Sequence, residues 1–222
     1  QIRKMPSRVM GLERVRDNVM FIKLQLPPAE PFRYYAGQYL EFILRSGERR
    51  SYSMANAPSD DNMVELHIRH MPGGVFTDHV FGAGETAMKV REILRVEGPL
   101  GSFFLREDSN KPIVFLASGT GFAPIKALVE RMQQTGNTRP VVLYWGGRRP
   151  SDLYMDELAR QWADSLPDFR YVPVVSDALP EDDWHGRSGF VHQAVLEDFP
   201  DLSDYQVYAC GTPVMVEAAR RD

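Results

Sequence analysis

The chain has 222 residues, 43% of them hydrophobic and 25% charged, and a formal net charge of −4. That is apolar material for one large globular domain or two ordinary ones, and the acidic balance lacks the basic face that nucleic-acid phosphates require. A single cysteine, Cys210, excludes an internal disulfide framework and any cysteine-built zinc or iron–sulfur site within the chain, and the five scattered histidines show no metal-ligand spacing.

Short strands punctuated by turns are expected over the first half. Residues 19–26 are β-rich and stop at Pro27-Pro28; 39–44 follow, then the turn Ser46-Gly47-Glu48, then 50–54. Residues 64–70 alternate, with Val64, Leu66 and Ile68 on one side and Glu65, His67 and Arg69 on the other. Residues 75–81 read as a helical interruption, and a strand over 91–96 precedes Gly98-Pro99-Leu100-Gly101. Strands at this spacing predict a small antiparallel barrel.

From Lys111 the rhythm changes. Strands are expected over 113–117, 141–144, 170–175 and 206–209, separated by helices over 124–134, 152–165 and 191–196 and followed by one over 214–221. Strands alternating with helices predict a parallel sheet covered on both faces. The division is therefore 1–107 and 108–222, with the polar stretch 106–110 as linker. The apolar run 113–129 carries Gly119-Thr120-Gly121, Pro124 and Lys126, so it reads as a buried strand turning into a helix rather than as a membrane span. No basic-then-apolar leader pattern opens the sequence, and the expected location is cytoplasmic, with no membrane or nucleic-acid partner. Gln1 in place of Met, and an end at Asp222 within an expected helix, suggest a piece of a longer protein with a C-terminal truncation.

Ser118-Gly119-Thr120-Gly121-Phe122-Ala123-Pro124 lies between a buried strand and a helix. Glycines there permit a tight turn and close approach to bare backbone, and the helix start favours a diphosphate. Pro124 suits the first helical turn because it has no N–H to leave unpaired. The same residues are compatible with an ordinary tight turn, since the third glycine of the dinucleotide fingerprint is absent. Gly146-Gly147-Arg148-Arg149 follows the next strand, with two arginines where an acidic residue would clamp a ribose; they suit a phosphate or a solvated loop. Cys210-Gly211-Thr212-Pro213 ends the last strand; a lone cysteine there is either an inert small hydrophobe or part of the site. In the first half, Arg50-Ser51-Tyr52-Ser53 places Arg50 and Tyr52 on one strand face, able to hold a phosphate and a flat ring, although the pattern is common in strands. Gly73-Gly74-Val75-Phe76-Thr77 is a second glycine turn running into a helix.

Taken in order, Arg50-Ser51-Tyr52-Ser53, Gly73-Gly74-x-x-Thr77, Gly119-Thr120-Gly121-x-x-Pro124 and Cys210-Gly211-x-Pro213 resemble the ferredoxin–NADP reductase superfamily. Leu24-Gln25-Leu26-Pro27 and Leu143-Tyr144-Trp145-Gly146-Gly147-Arg148 resemble its flavin reductase and CDP-6-deoxy-glucoseen reductase branch. The resemblance implies an antiparallel Greek-key flavin-binding barrel followed by a doubly wound, parallel-sheet nicotinamide-binding domain. It implies FAD in preference to FMN, together with NADH or NADPH. Arg50 would neutralise a flavin phosphate, Tyr52 would pack on the isoalloxazine, and Ser53 would hydrogen-bond near its redox-active nitrogen. His67, Ile68 and Arg69 would line the flavin, and Gly74, Val75 and Thr77 would hold its diphosphate. Gly119, Thr120, Gly121 and Pro124, with Gly146 and Arg148, would bind NAD(P)H, and Cys210 and Gly211 would lie beside the nicotinamide. Ser53 and Cys210 are the expected catalytic positions. No metal site is expected in this chain; the branch implies a [2Fe–2S] centre in an attached N-terminal ferredoxin-like domain or a redox partner protein. Three functions fit the sequence: a reductase passing electrons from NAD(P)H through FAD to such a centre, a stand-alone flavin reductase, and a non-catalytic sensor of redox cofactors.

Overall fold

A computed structural model describes residues 1–211; the expected helix over 214–221 lies outside them. The chain divides into two compact units, Gln1–Leu105 together with Lys126–Arg131, and Arg106–Ile125 together with Met132 onward.

The first unit contains β1 (Arg3–Arg16), β2 (Val19–Gln25), β3 (Tyr39–Ile43), β4 (Arg49–Ser53), β5 (Met63–Arg69), α1 (Val75–Phe81) and β6 (Ile93–Leu100). The strands pair antiparallel in the order β4-β3-β6-β1-β2-β5. A bridge between Met54, just past β4, and Leu66 of β5 joins the two ends of that order and closes the barrel. Alternation decides what lies inside: Met5, Ser7 and Val9 of β1 are buried, while Lys4, Pro6, Arg8 and Met10 are exposed. Ile22, Leu24, Leu40, Phe42, Leu66, Ile68 and Val96 fill the interior, with Phe76 and Val80 of α1 packed into the same core. β6 begins two residues later than expected because Arg91 adopts a left-handed φ of 81°, outside the range of an extended strand.

The second unit contains β7 (Ile113–Ser118), α2 (Phe122–Thr135), β8 (Val141–Gly147), α3 (Asp156–Ser165), β9 (Phe169–Val175), β10 (Arg187–Ser188), α4 (Val191–Asp198) and β11 (Gln206–Cys210). Residues 126–131 of α2 group with the first unit. The sheet is parallel, in the order β10-β9-β8-β7-β11. Residues Ile113 to Ala117 of β7 are all buried, as expected for a central parallel strand with both faces covered. From β7 the chain moves outward through β8, β9 and β10, then returns to place β11 on the other side of β7. The direction of strand order therefore reverses between β7 and β11, which is where open parallel sheets bind ligands at the carboxyl ends. Helix α3 starts at Asp156 rather than 152, because Asp152 belongs to a separate 3-10 turn and its carboxylate accepts the Arg148 and Arg149 N–H groups at 3.0 Å each.

Candidate cofactor sites

In the second unit the switch point is built from backbone. Register sets Ala117 beside Cys210 and Ser118 beside Gly146, so the carboxyl ends of three strands converge on one turn. That turn, Gly119–Gly121, is a 3-10 segment leading directly into α2. Gly119 holds a left-handed φ of 55°, and nothing lies within 4 Å of where a Cβ would stand. A Cβ on Gly121 would fall 2.3 Å from the Cys210 carbonyl oxygen, so only glycine permits this approach of turn to strand. No side chain caps either the 3-10 turn or α2. The helix start is thus left to a ligand or water, as a diphosphate site requires. Pro124 sits at the third helical position, where an N–H would also lack an intrahelical acceptor.

Trp145, fully buried in β8, donates its indole N–H to the Gly119 carbonyl at 3.0 Å and stacks on Phe122 at 3.9 Å. It fixes the turn from behind, a positioning role that its place in an apolar strand does not announce. Gly146 is buried and in contact with α4: a Cβ there would stand 2.8 Å from Val191 Cβ. Arg148 lies at the exposed end of β8. Cys210 is half-buried, and burial pushes its thiol up to about 12, so it is protonated at neutral pH. Gly211 is exposed at the end of the described chain.

In the first unit the candidate groups are side chains on strands. Arg50 and Tyr52 pair across from Phe42 and Leu40 of β3 and share the barrel's inner face at its rim. The Arg50 side chain is 37% exposed, and its guanidinium donates to the Glu48 carboxylate at 2.8 Å. Tyr52 lies 5.9 Å from Phe42 and 5.6 Å from Phe76, and burial, opposed by Arg50, pushes its hydroxyl up to about 12. Ser53 is half-buried on the opposite strand face, beside Tyr39. Gly73 has a φ of 89° with open space around it, and Gly74 starts α1 without a side-chain cap. The Thr77 hydroxyl is turned inward, accepting from Met71 N–H and donating to Met71 O at 3.0 Å each, so at this turn it is Gly73, Gly74 and the 67%-exposed Val75 that face out. On β5, Ile68 is fully buried in the barrel core, Arg69 is exposed, and His67 is buried and stacked on Phe21 at 4.2 Å.

A buried charge cluster, unforeseen in the sequence, lies in the same unit. The Lys126 ammonium donates to Ala55 O at 3.1 Å and to Glu65 and Glu130 at 2.8 Å each. Burial would lower the lysine, but the two carboxylates outweigh it and hold it above its ordinary value. Burial would raise Glu65, but His67 and Lys126 overcome it and bring the carboxyl down to about 2. His67 Nε2 stands 3.5 Å from Glu65, and burial lowers the imidazole despite that carboxylate. The only sequence signal was a lysine inside an apolar helical stretch, with Glu130 one turn on. Among the described residues no group of histidines, cysteines and carboxylates could hold a metal ion, and no helix is long and apolar enough to cross a membrane.

An antiparallel barrel with an arginine–tyrosine rim, and a parallel sheet with a glycine turn at its switch point, define a chain with two nucleotide sites. Residues 6–105 match the oxidoreductase FAD-binding domain and residues 115–221 the oxidoreductase NAD-binding domain. The chain belongs to the FAD- and NAD(P)-binding oxidoreductases of the ferredoxin–NADP reductase type. It is 47% identical over 217 residues to the CDP-6-deoxy-L-threo-D-glycero-4-hexulose-3-dehydrase reductase of Yersinia pseudotuberculosis serotype I (strain IP32953), covering 98% of this chain and 63% of that protein. It is 33% identical over 199 residues to the NAD(P)H-flavin reductase of Vibrio harveyi, covering 89% of this chain and 83% of that one. The crystal structure of the Amycolatopsis cytochrome P450 reductase GcoB superposes with a TM-score of 0.87 at 35% identity, covering 99% of this chain and 66% of that chain. The chain thus spans less than two thirds of the length of its Yersinia relative.

Proposed function

We propose that this chain is the reductase core of an electron-transfer protein, carrying electrons from NAD(P)H through FAD to a [2Fe–2S] centre in an attached ferredoxin-like domain or a separate redox protein. The observation that carries the reading is the union, in one chain, of an FAD-type barrel and a nicotinamide-type sheet, aligned along 98% of its length with the Yersinia dehydrase reductase. The 63% share of that relative leaves room for a further domain. When bound, FAD supplies the conversion between two-electron and one-electron chemistry; the chain's own residues bind and orient.

In this reading Arg50 exchanges Glu48 for a flavin phosphate, an inexpensive step because an exposed ion pair contributes only about 0–1 kcal/mol. Tyr52 presents its ring to the isoalloxazine, Ser53 offers a hydroxyl near the redox-active nitrogen, and His67, Ile68 and Arg69 line the flavin, Ile68 through its backbone. Gly74 and Val75 hold the flavin diphosphate by backbone N–H groups, with Thr77 fixing their turn. Gly119, Thr120, Gly121 and Pro124 cradle the nicotinamide cofactor's diphosphate; Gly146 and Arg148 lie toward its adenosine, Cys210 and Gly211 toward its nicotinamide. Purified protein should be yellow, keep its flavin through gel filtration, bleach anaerobically on addition of NADH, and then reduce an oxidised [2Fe–2S] ferredoxin. Loss of all flavin on the column, with turnover of added free flavin, would favour the second reading. That reading, a stand-alone flavin reductase, is supported by the 83% share of the Vibrio protein that this chain covers.

A further inference from the structure

The barrel closes at a narrow seam. Its neighbouring strands pair through ladders, whereas β4 and β5 meet through the isolated Met54–Leu66 bridge. The strand residues that the proposed function gives to the flavin stand on the two sides of this seam, Arg50, Tyr52 and Ser53 on β4 and His67, Ile68 and Arg69 on β5. A few bonds next to the bridge hold the sides together. Ala55 N–H donates to Glu65 O at 2.8 Å, and Glu65 N–H donates to Asn56 Oδ1 at 2.8 Å. Lys126 then spans the seam with one side chain. Its ammonium donates to Ala55 O, two residues past Ser53, at 3.1 Å, and to the Glu65 carboxylate, two residues before His67, at 2.8 Å. The third donor goes to Glu130 Oε2 at 2.8 Å, and Glu130 Oε1 accepts Ala57 N–H at 3.0 Å. All three ammonium donors are thus engaged, on a lysine that is only 8% exposed.

We propose that Lys126 is a positioning residue for the flavin, acting through Ala55 O and the Glu65 carboxylate to set the spacing of the β4 and β5 walls. The inference rests on the flavin-binding reading of the barrel. A ladder spreads spacing and register over many N–H···O bonds, so the loss of one moves little. A seam with one bridge concentrates both in the few bonds beside it. Removing the ammonium takes a bond from each side and leaves the buried Glu65 carboxylate without its cation, so that carboxylate must turn toward water or take up a proton. Either response releases the β4 exit from β5, and with it the placement of Tyr52 and Ser53 against His67–Arg69.

The test is the visible circular dichroism of bound FAD and the FAD dissociation constant, measured well below each variant's melting temperature. Lys126→Met keeps an unbranched stem of similar length and removes every donor. It should alter the flavin dichroism bands and weaken FAD about tenfold, within the range by which neighbours in one bonded network are coupled. Glu130→Gln removes a charge from the same cluster but keeps oxygen acceptors for Lys126 and Ala57 N–H. It should lower the melting temperature and leave the bands and the affinity at the parent's values. Should Lys126→Met not fold, Glu65→Gln carries the test. Its amide still accepts from Lys126 without the charge, so the bands should move in part, and bands that do not move would overturn the inference. Parent-like bands and affinity in folded Lys126→Met, or an equal change in Glu130→Gln, would make Lys126 a residue of stability alone and overturn the inference while FAD binding stands. A parent protein that binds no FAD would overturn the flavin-binding reading and this inference with it.

Discussion

The two units build their candidate sites from different material. The barrel unit presents side chains on a strand, Arg50, Tyr52 and Ser53, whose backbone pairs in a ladder with β3. The sheet unit presents bare backbone, with Gly119 and Gly121 shaping a turn that closes to within a missing Cβ of the Cys210 carbonyl. A site made of side chains loses one contact when one residue is changed. Where a site made of backbone is closed to any added atom, as at Gly121, the same size of change disrupts the turn itself. The contrast predicts graded losses in the barrel and steric failure in the sheet.

The largest stability effect is expected where the barrel unit depends on a single buried side chain. Lys126→Ala would leave Glu65 and Glu130 without their cation, and removing one partner of a buried ion pair costs about 3–5 kcal/mol. Thermal melting would register it, and a melting temperature equal to the parent's would show that the cluster is not an ion-pair network. The pH dependence carries a definite sign. Glu65 is held at about 2 in the folded chain against an ordinary 4.5, so its contribution is fully present above 4.5 and is lost as pH falls toward 2. His67, lowered by burial from 6.5, adds a loss that begins as pH falls below 6.5, where the unfolded chain takes up the proton first. In Lys126→Ala the carboxylate part of this acid-sensitive window should move to higher pH.

Gly121→Ala comes next. Its Cβ would overlap the Cys210 carbonyl at 2.3 Å, and because the obstacle is backbone, relief requires moving a strand end. Overpacking of this kind costs about 1–3 kcal/mol, and NADH-driven bleaching should be lost while bound flavin absorbance survives. Bleaching at the parent's rate would break the contrast between the units. Arg50→Ala should do the reverse, weakening FAD retention by about 1.5–3 kcal/mol, roughly ten- to hundredfold, while calorimetry with 5′-ADP stays unchanged. Unaltered flavin retention would remove Arg50 from the phosphate site.

What was legible in the sequence follows the same division. The glycine turn at 119–121 could be read because its backbone demands restrict residue type, and α1 was legible because glycines at 73 and 74 precede a compact apolar–polar repeat. Strand β1 was not. Its inward positions include Ser7, satisfied by Leu94 O at 2.8 Å, its outward positions include Pro6, and a bulge between Val9 and Gly11 breaks its alternation, so no period-2 apolar signal remained. Gly146 and Gly147 read as a loop yet extend β8, since glycine here serves the close approach of Val191 and Asp152 rather than a turn. Lys126 and Trp145 were invisible as site-shaping residues for one reason: each acts on a partner far along the chain, Glu65 and the Gly119 carbonyl, which only the folded topology brings near.

The smallest effect is expected at Cys210, where side chain and backbone can be separated within one residue. Its carbonyl is the atom that Gly121 approaches, and that atom survives any substitution of the side chain. Its thiol is protonated through the neutral range, with burial pushing it up to about 12, so it offers neither a thiolate nor a base. If the thiol helps to align the nicotinamide, Cys210→Ala should slow flavin reduction at saturating NADH by about tenfold. That is less than the roughly hundredfold penalty of a 1 Å displacement, because the backbone that sets the position remains. The parent's reduction rate should show no thiol ionisation between pH 6 and 9, and the variant should retain its flavin. Stopped-flow reduction over that pH range separates the possibilities. A variant rate equal to the parent's, in protein that still binds FAD and NADH, would assign the contribution of residue 210 to its carbonyl alone and leave the sheet site entirely a site of backbone.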